Sequence, residues 1–127
     1  MSYKLAITPR FSAEVTAEIP ADNGRANRVK FHVWFKRPTT TQFDELVERI
    51  NAHKAGKATT PTGLPAMSDQ DVVDELLDGF GDDLFDDNGN ELEFTPANVE
   101  SLCDVFPMRP SLVSAFFDGF LKAKVKN

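Results

Sequence analysis

From Phe11 to Ile19 the chain alternates strictly: Phe11, Ala13, Val15, Ala17 and Ile19 fall on one side, Ser12, Glu14, Thr16 and Glu18 on the other. A period of two is the pattern of a strand with one buried face. Residues 28–36 repeat it, with Val29, Phe31, Val33 and Phe35 facing one way and Arg28, Lys30, His32, Trp34 and Lys36 the other. Between the runs, Asn23-Gly24 supplies the positive φ that a reversal needs, so residues 1–37 are predicted to be an antiparallel β-hairpin region. Its outer face sets Glu14 and Glu18 against Arg28, Lys30 or Lys36. A bare hairpin is marginal in water, so its Val/Phe face requires cover from elements downstream.

After Pro38 the period changes. Threonines 39 to 41 offer N-cap hydroxyls, and Phe43, Leu46, Val47 and Ile50 recur at helical spacing, predicting a helix over 38–56 that leaves through His53, Lys54 and Gly56. Residues 57–67, with Gly63 and prolines 61 and 65, read as a flexible loop. The remainder, 68–127, is predicted helical around an acidic turn at 82–90. Ser68 caps a helix to about Asp78, with Val72, Val73, Leu76 and Leu77 inward. Asn88-Gly89, flanked by Leu84 and Phe85 before and Leu92 and Phe94 after, predicts a short second hairpin or turn. Thr95-Pro96 starts a further helix with Val99, Leu102, Cys103 and Phe106 on one face, stopped by Pro107; a last helix runs from near Pro110 to about Lys124. The chain thus reads as one α+β domain over 1–127: an N-terminal antiparallel β-hairpin plus three to four α-helices, its C-terminal two thirds mostly helical.

Composition narrows the class. With 41% apolar and 27% charged residues and eleven Phe, the sequence is too hydrophobic for a disordered chain and has no run long enough to span a bilayer. The N-terminus lacks the apolar stretch of a secretory signal, and a lone Cys103 permits no internal disulfide; both lead to the expectation of a cytoplasmic protein. The net charge of −6 is partitioned. Residues 1–57 carry ten bases and six acids, 58–108 thirteen acids and no base, and 109–127 four bases and one acid. An acidic middle between basic flanks either forms a solvated face or steers one copy toward another, head to tail. Nucleic acid is not an expected partner, since phosphate binding calls for a concentrated basic surface.

Candidate chemistry is sparse. Asp82, Asp83, Asp86, Asp87 and Asn88 suggest a calcium loop, but aligning Gly89 with the sixth position of an EF-hand puts Leu84 at the first and Thr95 at the twelfth, where ligands are required. Cys103 sits on an apolar helix face as a small hydrophobe rather than a nucleophile. His32 and His53 have no sequence neighbours that suggest a triad or a metal set, and no glycine-rich phosphate loop is present. No enzyme, cofactor or metal is expected. The last helix is the better clue: at 100° per residue, Leu112, Val113, Phe116, Phe117, Phe120 and Leu121 spread over roughly 180°, wider than a usual core stripe. One edge faces the core. The other is covered either by the hairpin or by another molecule, so these six are the candidate protein-binding residues.

The run from Gly79-Phe80 through Asp87-Asn88-Gly89 and Phe94-Thr95-Pro96-Ala97-Asn98-Val99 to Phe106-Pro107, with the closing Leu112-Val113-Ser114-Ala115-Phe116-Phe117 helix and Lys126-Asn127 end, resembles tail assembly chaperones of long-tailed bacteriophages. The segment Phe31-His32-Val33-Trp34-Phe35-Lys36-Arg37 is similar to the start of many such proteins. The resemblance implies a cytoplasmic protein of a phage or prophage, absent from the mature virion. It would bind the tape measure protein and keep it soluble until tail tube subunits polymerise around it. It further implies homo-oligomers and, in many members, a longer frameshifted product that recruits the tail tube protein. Two other readings stand beside it: a structural tail or connector protein, and an acidic nucleic-acid mimic that inhibits a host DNA-binding enzyme.

Overall fold

The computed structural model describes residues 8–125, with side chains as far as Lys122. Strands β1 (Arg10–Pro20) and β2 (Ala26–Lys36) form the expected hairpin. The register pairs Phe11 with Phe35, Ala13 with Val33, Val15 with Phe31 and Ala17 with Val29, so the two apolar rows share one face. The reversal passes through a single 3-10 turn in which Asn23 (φ 61°) and Gly24 (φ 72°) take the left-handed conformation that the Asn-Gly pair favours. On the outer face Glu18 accepts from Arg28 at 2.8 Å, while Glu14 lies opposite His32 rather than a lysine or arginine.

Helix α1 (Thr40–Lys54) begins with a reciprocal cap: the Thr39 hydroxyl accepts from the Gln42 backbone N–H, and the Gln42 side chain accepts from that of Thr39. Leu46 is buried, and Phe43, Val47 and Ile50 are half-buried. Residues 57–67 contain an antiparallel bridge between Thr59 and Pro65, and lead into the buried Met67, whose N–H donates to the Arg49 carbonyl at 3.0 Å.

Helix α2 (Asp69–Leu76) starts with the same device, built from Ser68 and Asp71. It stops two residues short of the expected end. Leu77–Phe80 instead forms strand β3, antiparallel to β2, with Val33 opposite Phe80 and Trp34 opposite Gly79. The sheet is therefore three-stranded, in the order β1-β2-β3. An open β2 edge offers unpaired N–H and C=O groups, and pairing with them satisfies the backbone better than two more helical residues would.

Residues 81–94 run as an irregular acidic arm. The second hairpin reduces to a turn at Asn88-Gly89 closed by one bridge, Phe85 with Glu91; Asp86 Oδ1 accepts from the backbone N–H groups of Asn88 and Asn90. Helix α3 (Pro96–Cys103) carries the expected Thr95 cap and leading proline, and Cys103 is buried. Phe106, anticipated on its inner face, lies past its end and is 72% exposed. The proline at 107 disfavours helical angles at 106, so the helix closes before reaching it.

Helix α4 (Met108–Val125) crosses the inner face of the sheet. Gly119 permits a close approach, since a Cβ there would be 3.1 Å from Ala13 Cβ and 3.2 Å from the Phe11 ring. Met108, Leu112, Ala115 and Phe116 complete a core with Val15, Val33, Phe35, Val72 and Val73. The architecture is the α+β class read from the sequence. Among the described residues no helix is long and apolar enough to cross a membrane.

Candidate partner-binding surface

The structure separates the six α4 residues. Leu112 and Phe116 are fully buried; Val113, Phe117 and Phe120 are half-buried; Leu121 is 42% exposed. Phe116 meets the hairpin, its ring edge-on to Phe35 at 5.4 Å and tilted against Phe11 at 5.7 Å. The other side of the stripe is covered from within by α1. Phe43 stacks on Phe120 at 4.8 Å and meets Phe117 edge-on at 5.7 Å. The hairpin and α1 together account for the width of the stripe. Leu121 is the member of the set that the fold leaves most open.

Apolar exposure is concentrated elsewhere. Phe85, Phe94, Val105 and Phe106 are each between 39% and 72% exposed. Phe94 packs edge-on against Phe80 at 5.1 Å, and beside it a groove of about 560 Å³ opens between α2 and α3. Val73, Leu77, Phe94, Pro96 and Val99 form its apolar wall, and Asp74 and Glu100 its acidic lip. Arg109 also lines it. Its guanidinium donates to Gln70 Oε1 and lies 4.0 Å from Asp104, so its charge is partly balanced by the protein itself. The groove is an apolar cleft whose charged lining is Asp74, Glu100 and the partly paired Arg109.

A connected polar arrangement lies on the outer face of the sheet. Asp83 accepts from the His32 backbone N–H at 2.8 Å, and its other oxygen is 2.6 Å from His32 Nδ1. The hydrogen bond raises the His32 pKa above its ordinary value and lowers that of Asp83, with the nearby charges of Glu14 and Asp82 adding to the first effect. Gly81 N–H donates to the His32 carbonyl at 2.8 Å, so the acidic arm is tied to β2 by three bonds at one residue. The far ring nitrogen, Nε2, faces Glu14 at 3.9 Å. The imidazole thus lies between two carboxylates, and its bonds to Asp83 tie the arm to the sheet. Sequence spacing gave no sign of it, because the partners are 51 residues apart.

Burial raises the Cys103 thiol pKa, which disfavours the reactive thiolate. Among the described residues no group of three or more His, Cys, Asp or Glu side chains is placed to hold a metal ion. What the arrangement offers is surface: exposed aromatic side chains, an apolar groove between α2 and α3, and the exposed Leu121 on α4.

The sequence model of one family, described as phage tail assembly chaperone, matches residues 1–127. No curated protein matches the chain, and no solved structure does.

Proposed function

Since the chain belongs to the phage tail assembly chaperone family, we propose that it binds the tape measure protein of a phage or prophage and keeps it soluble while the tail tube assembles around it. The observation that carries this reading is the family match over the whole chain. The exposed apolar side chains give it a physical basis. A Phe left in water forfeits about 1.5–3 kcal/mol relative to burial, so Phe85, Phe94 and Phe106 represent a standing cost that a client would remove. On α4 the client would use Leu121 and the half-buried rims of Val113, Phe117 and Phe120, whereas Leu112 and Phe116 stay in the core.

The role is non-enzymatic, set in the host cytoplasm, and ends before the virion matures. The protein forms homo-oligomers, and the tail tube protein is a second partner, recruited through a longer product of the same gene where a frameshift makes one. Mass spectrometry of purified particles tests the assignment. The chain is expected to be absent from mature virions and present in lysates; stoichiometric copies in the particle would replace the chaperone reading with that of a structural tail or connector protein.

A further inference from the structure

Strand β1 forms an edge of the sheet, and the phase of its hydrogen bonds determines which of its backbone groups are left over. Pro9 C=O accepts from Arg37 N–H at 2.9 Å at the open end of the hairpin, and Arg25 C=O accepts from Ala21 N–H at 2.8 Å at its turn. Hydrogen-bonded pairs recur at every second residue of an antiparallel ladder, so the odd-numbered residues of β1 bond to β2 and the even-numbered ones point the other way. His32 shows the same phase from β2: its N–H and C=O reach away from β1, to Asp83 and Gly81. The N–H and C=O groups of Ser12, Glu14, Thr16 and Glu18 therefore face out along the open edge, and among the described residues no backbone hydrogen bond meets them. The register runs from Arg10 to Pro20 without a bulge, and no proline interrupts the strand before its last residue. A long, regular, open edge is a template for another strand.

The side chains of the same residues decide what can be added. They stand exposed on the outer face, and from Ser12 to Glu18 the row carries Glu14 and Glu18 with no base. Arg10, at the start of the strand, is turned across β2, its guanidinium 4.4 Å over the Trp34 ring and 3.9 Å from Asp78. Glu18 pairs with Arg28 and Glu14 lies 3.9 Å from His32, yet each glutamate side chain is more than half exposed and can share a second cation. A second β1 would bring its own two glutamates beside the first pair, like charges on adjacent strands, so self-pairing is disfavoured. A strand with Lys or Arg on that face meets the opposite charge.

We propose that the β1 edge accepts an extended basic segment of a partner protein as a fourth strand, its backbone bonding to Ser12, Glu14, Thr16 and Glu18 and its Lys or Arg side chains lying beside Glu14 and Glu18. In strand addition of this kind the main-chain bonds supply affinity and the alternate side chains supply selectivity. The site uses none of the apolar side chains assigned to the tape measure client, and its test is independent of that reading.

The test follows backbone amides of the full chain by NMR, with the synthetic peptide acetyl-Thr-Lys-Val-Lys-Val-Lys-Thr-amide as the probe. In the free protein the Ser12, Glu14, Thr16 and Glu18 amides should exchange faster than those of Ala13, Val15 and Ala17. Saturating peptide should slow the first set by about tenfold or more, and high salt should weaken binding. The same peptide with Glu for Lys should not bind. Thr16→Pro removes one outward N–H without touching the ladder to β2, and should lower affinity roughly twofold to tenfold, the worth of one hydrogen bond. Glu14→Lys with Glu18→Lys, confined to exposed side chains, should reverse the preference and take the Glu peptide; this arm of the test stands even where the proline variant misfolds. Absence of saturable binding up to millimolar peptide, binding that leaves the first set of amides unprotected, or a charge-reversed variant that still prefers the Lys peptide would each overturn the proposal. So would slowing of those amides with rising protein concentration alone, which would assign the edge to a second copy.

Discussion

Phe116→Ala separates the core edge of α4 from its exposed edge. The ring is fully buried and has four aromatic neighbours, Phe11, Phe35, Phe117 and Phe120, with centroids between 5.2 and 6.0 Å. Truncating a buried Phe costs about 3–5 kcal/mol in transfer and cavity terms. The upper half of that range applies, because close packing on every side leaves little room for collapse and the aromatic pairs are lost as well. Against a total stability on the order of 5–15 kcal/mol, the loss is a large fraction. For a chain of this length it corresponds to a fall in Tm of roughly 12–20 °C. Differential scanning calorimetry reads it directly, with Leu121→Ala as the reference, expected within about 1 kcal/mol of wild type since its side chain is already partly in water. A Phe116→Ala protein whose Tm falls by less than about 4 °C would refute the packing described and return Phe116 to the candidate partner surface.

Other perturbations address separate links. Gly81→Ala builds a Cβ 2.7 Å from the His32 carbonyl oxygen, so the acidic arm must shift away from β2; a loss of about 1–3 kcal/mol and faster amide exchange at Gly81 are expected, and unchanged exchange would contradict the tether. Ser68→Ala removes the hydroxyl that accepts from Asp71 N–H and should cost about 1 kcal/mol in urea unfolding, with a full-strength midpoint arguing against the cap. The His32–Asp83 pair has a defined pH window. The raised His32 pKa contributes stability that is complete below the ordinary imidazole value and fades as pH rises through the folded one; the depressed Asp83 pKa contributes above the ordinary carboxylate value and fades as pH falls through the folded one. Both contributions are present from about pH 4 to 6.5. NMR titration should show the His32 ring protonating above its ordinary value and Asp83→Asn bringing it down, and no change in that variant would dismiss the pairing.

The hairpin and its buried rows were readable because strict alternation on both strands places both apolar rows on one face, while the strand ends and the partner of Glu14 were not. The caps at Ser68 and Thr95 were plain, since each is a local bond over three residues, and of the three threonines at 39 to 41 the structure selects Thr39. Strand β3 was hidden for the opposite reason. Val72, Val73, Leu76 and Leu77 continue a helical stripe, and only the distant β2 edge pulls Leu77 out of it. Phe106 kept the spacing of α3 while its neighbour Pro107 ended the helix, so periodicity and proline sterics pointed different ways and the sterics prevailed. On α4 the pattern alone left two covers open for the wide stripe, the hairpin or another molecule; the fold adds a third, the Phe43 face of α1. The α2/α3 groove has no sequence signature, because its wall is assembled from three segments between Val73 and Val99.

The central claim is that the exposed apolar surface serves a tape measure client. The most direct measurement is the soluble yield of that protein when co-expressed with this chain, with the chain carrying Phe106→Ser and Leu121→Ser, or with neither. Wild type should bring the tape measure protein into the soluble fraction as a co-purifying complex. The double variant, folded by circular dichroism because both side chains lie outside the core, should leave most of it aggregated. A tape measure protein equally insoluble with and without the wild-type chain would contradict the account.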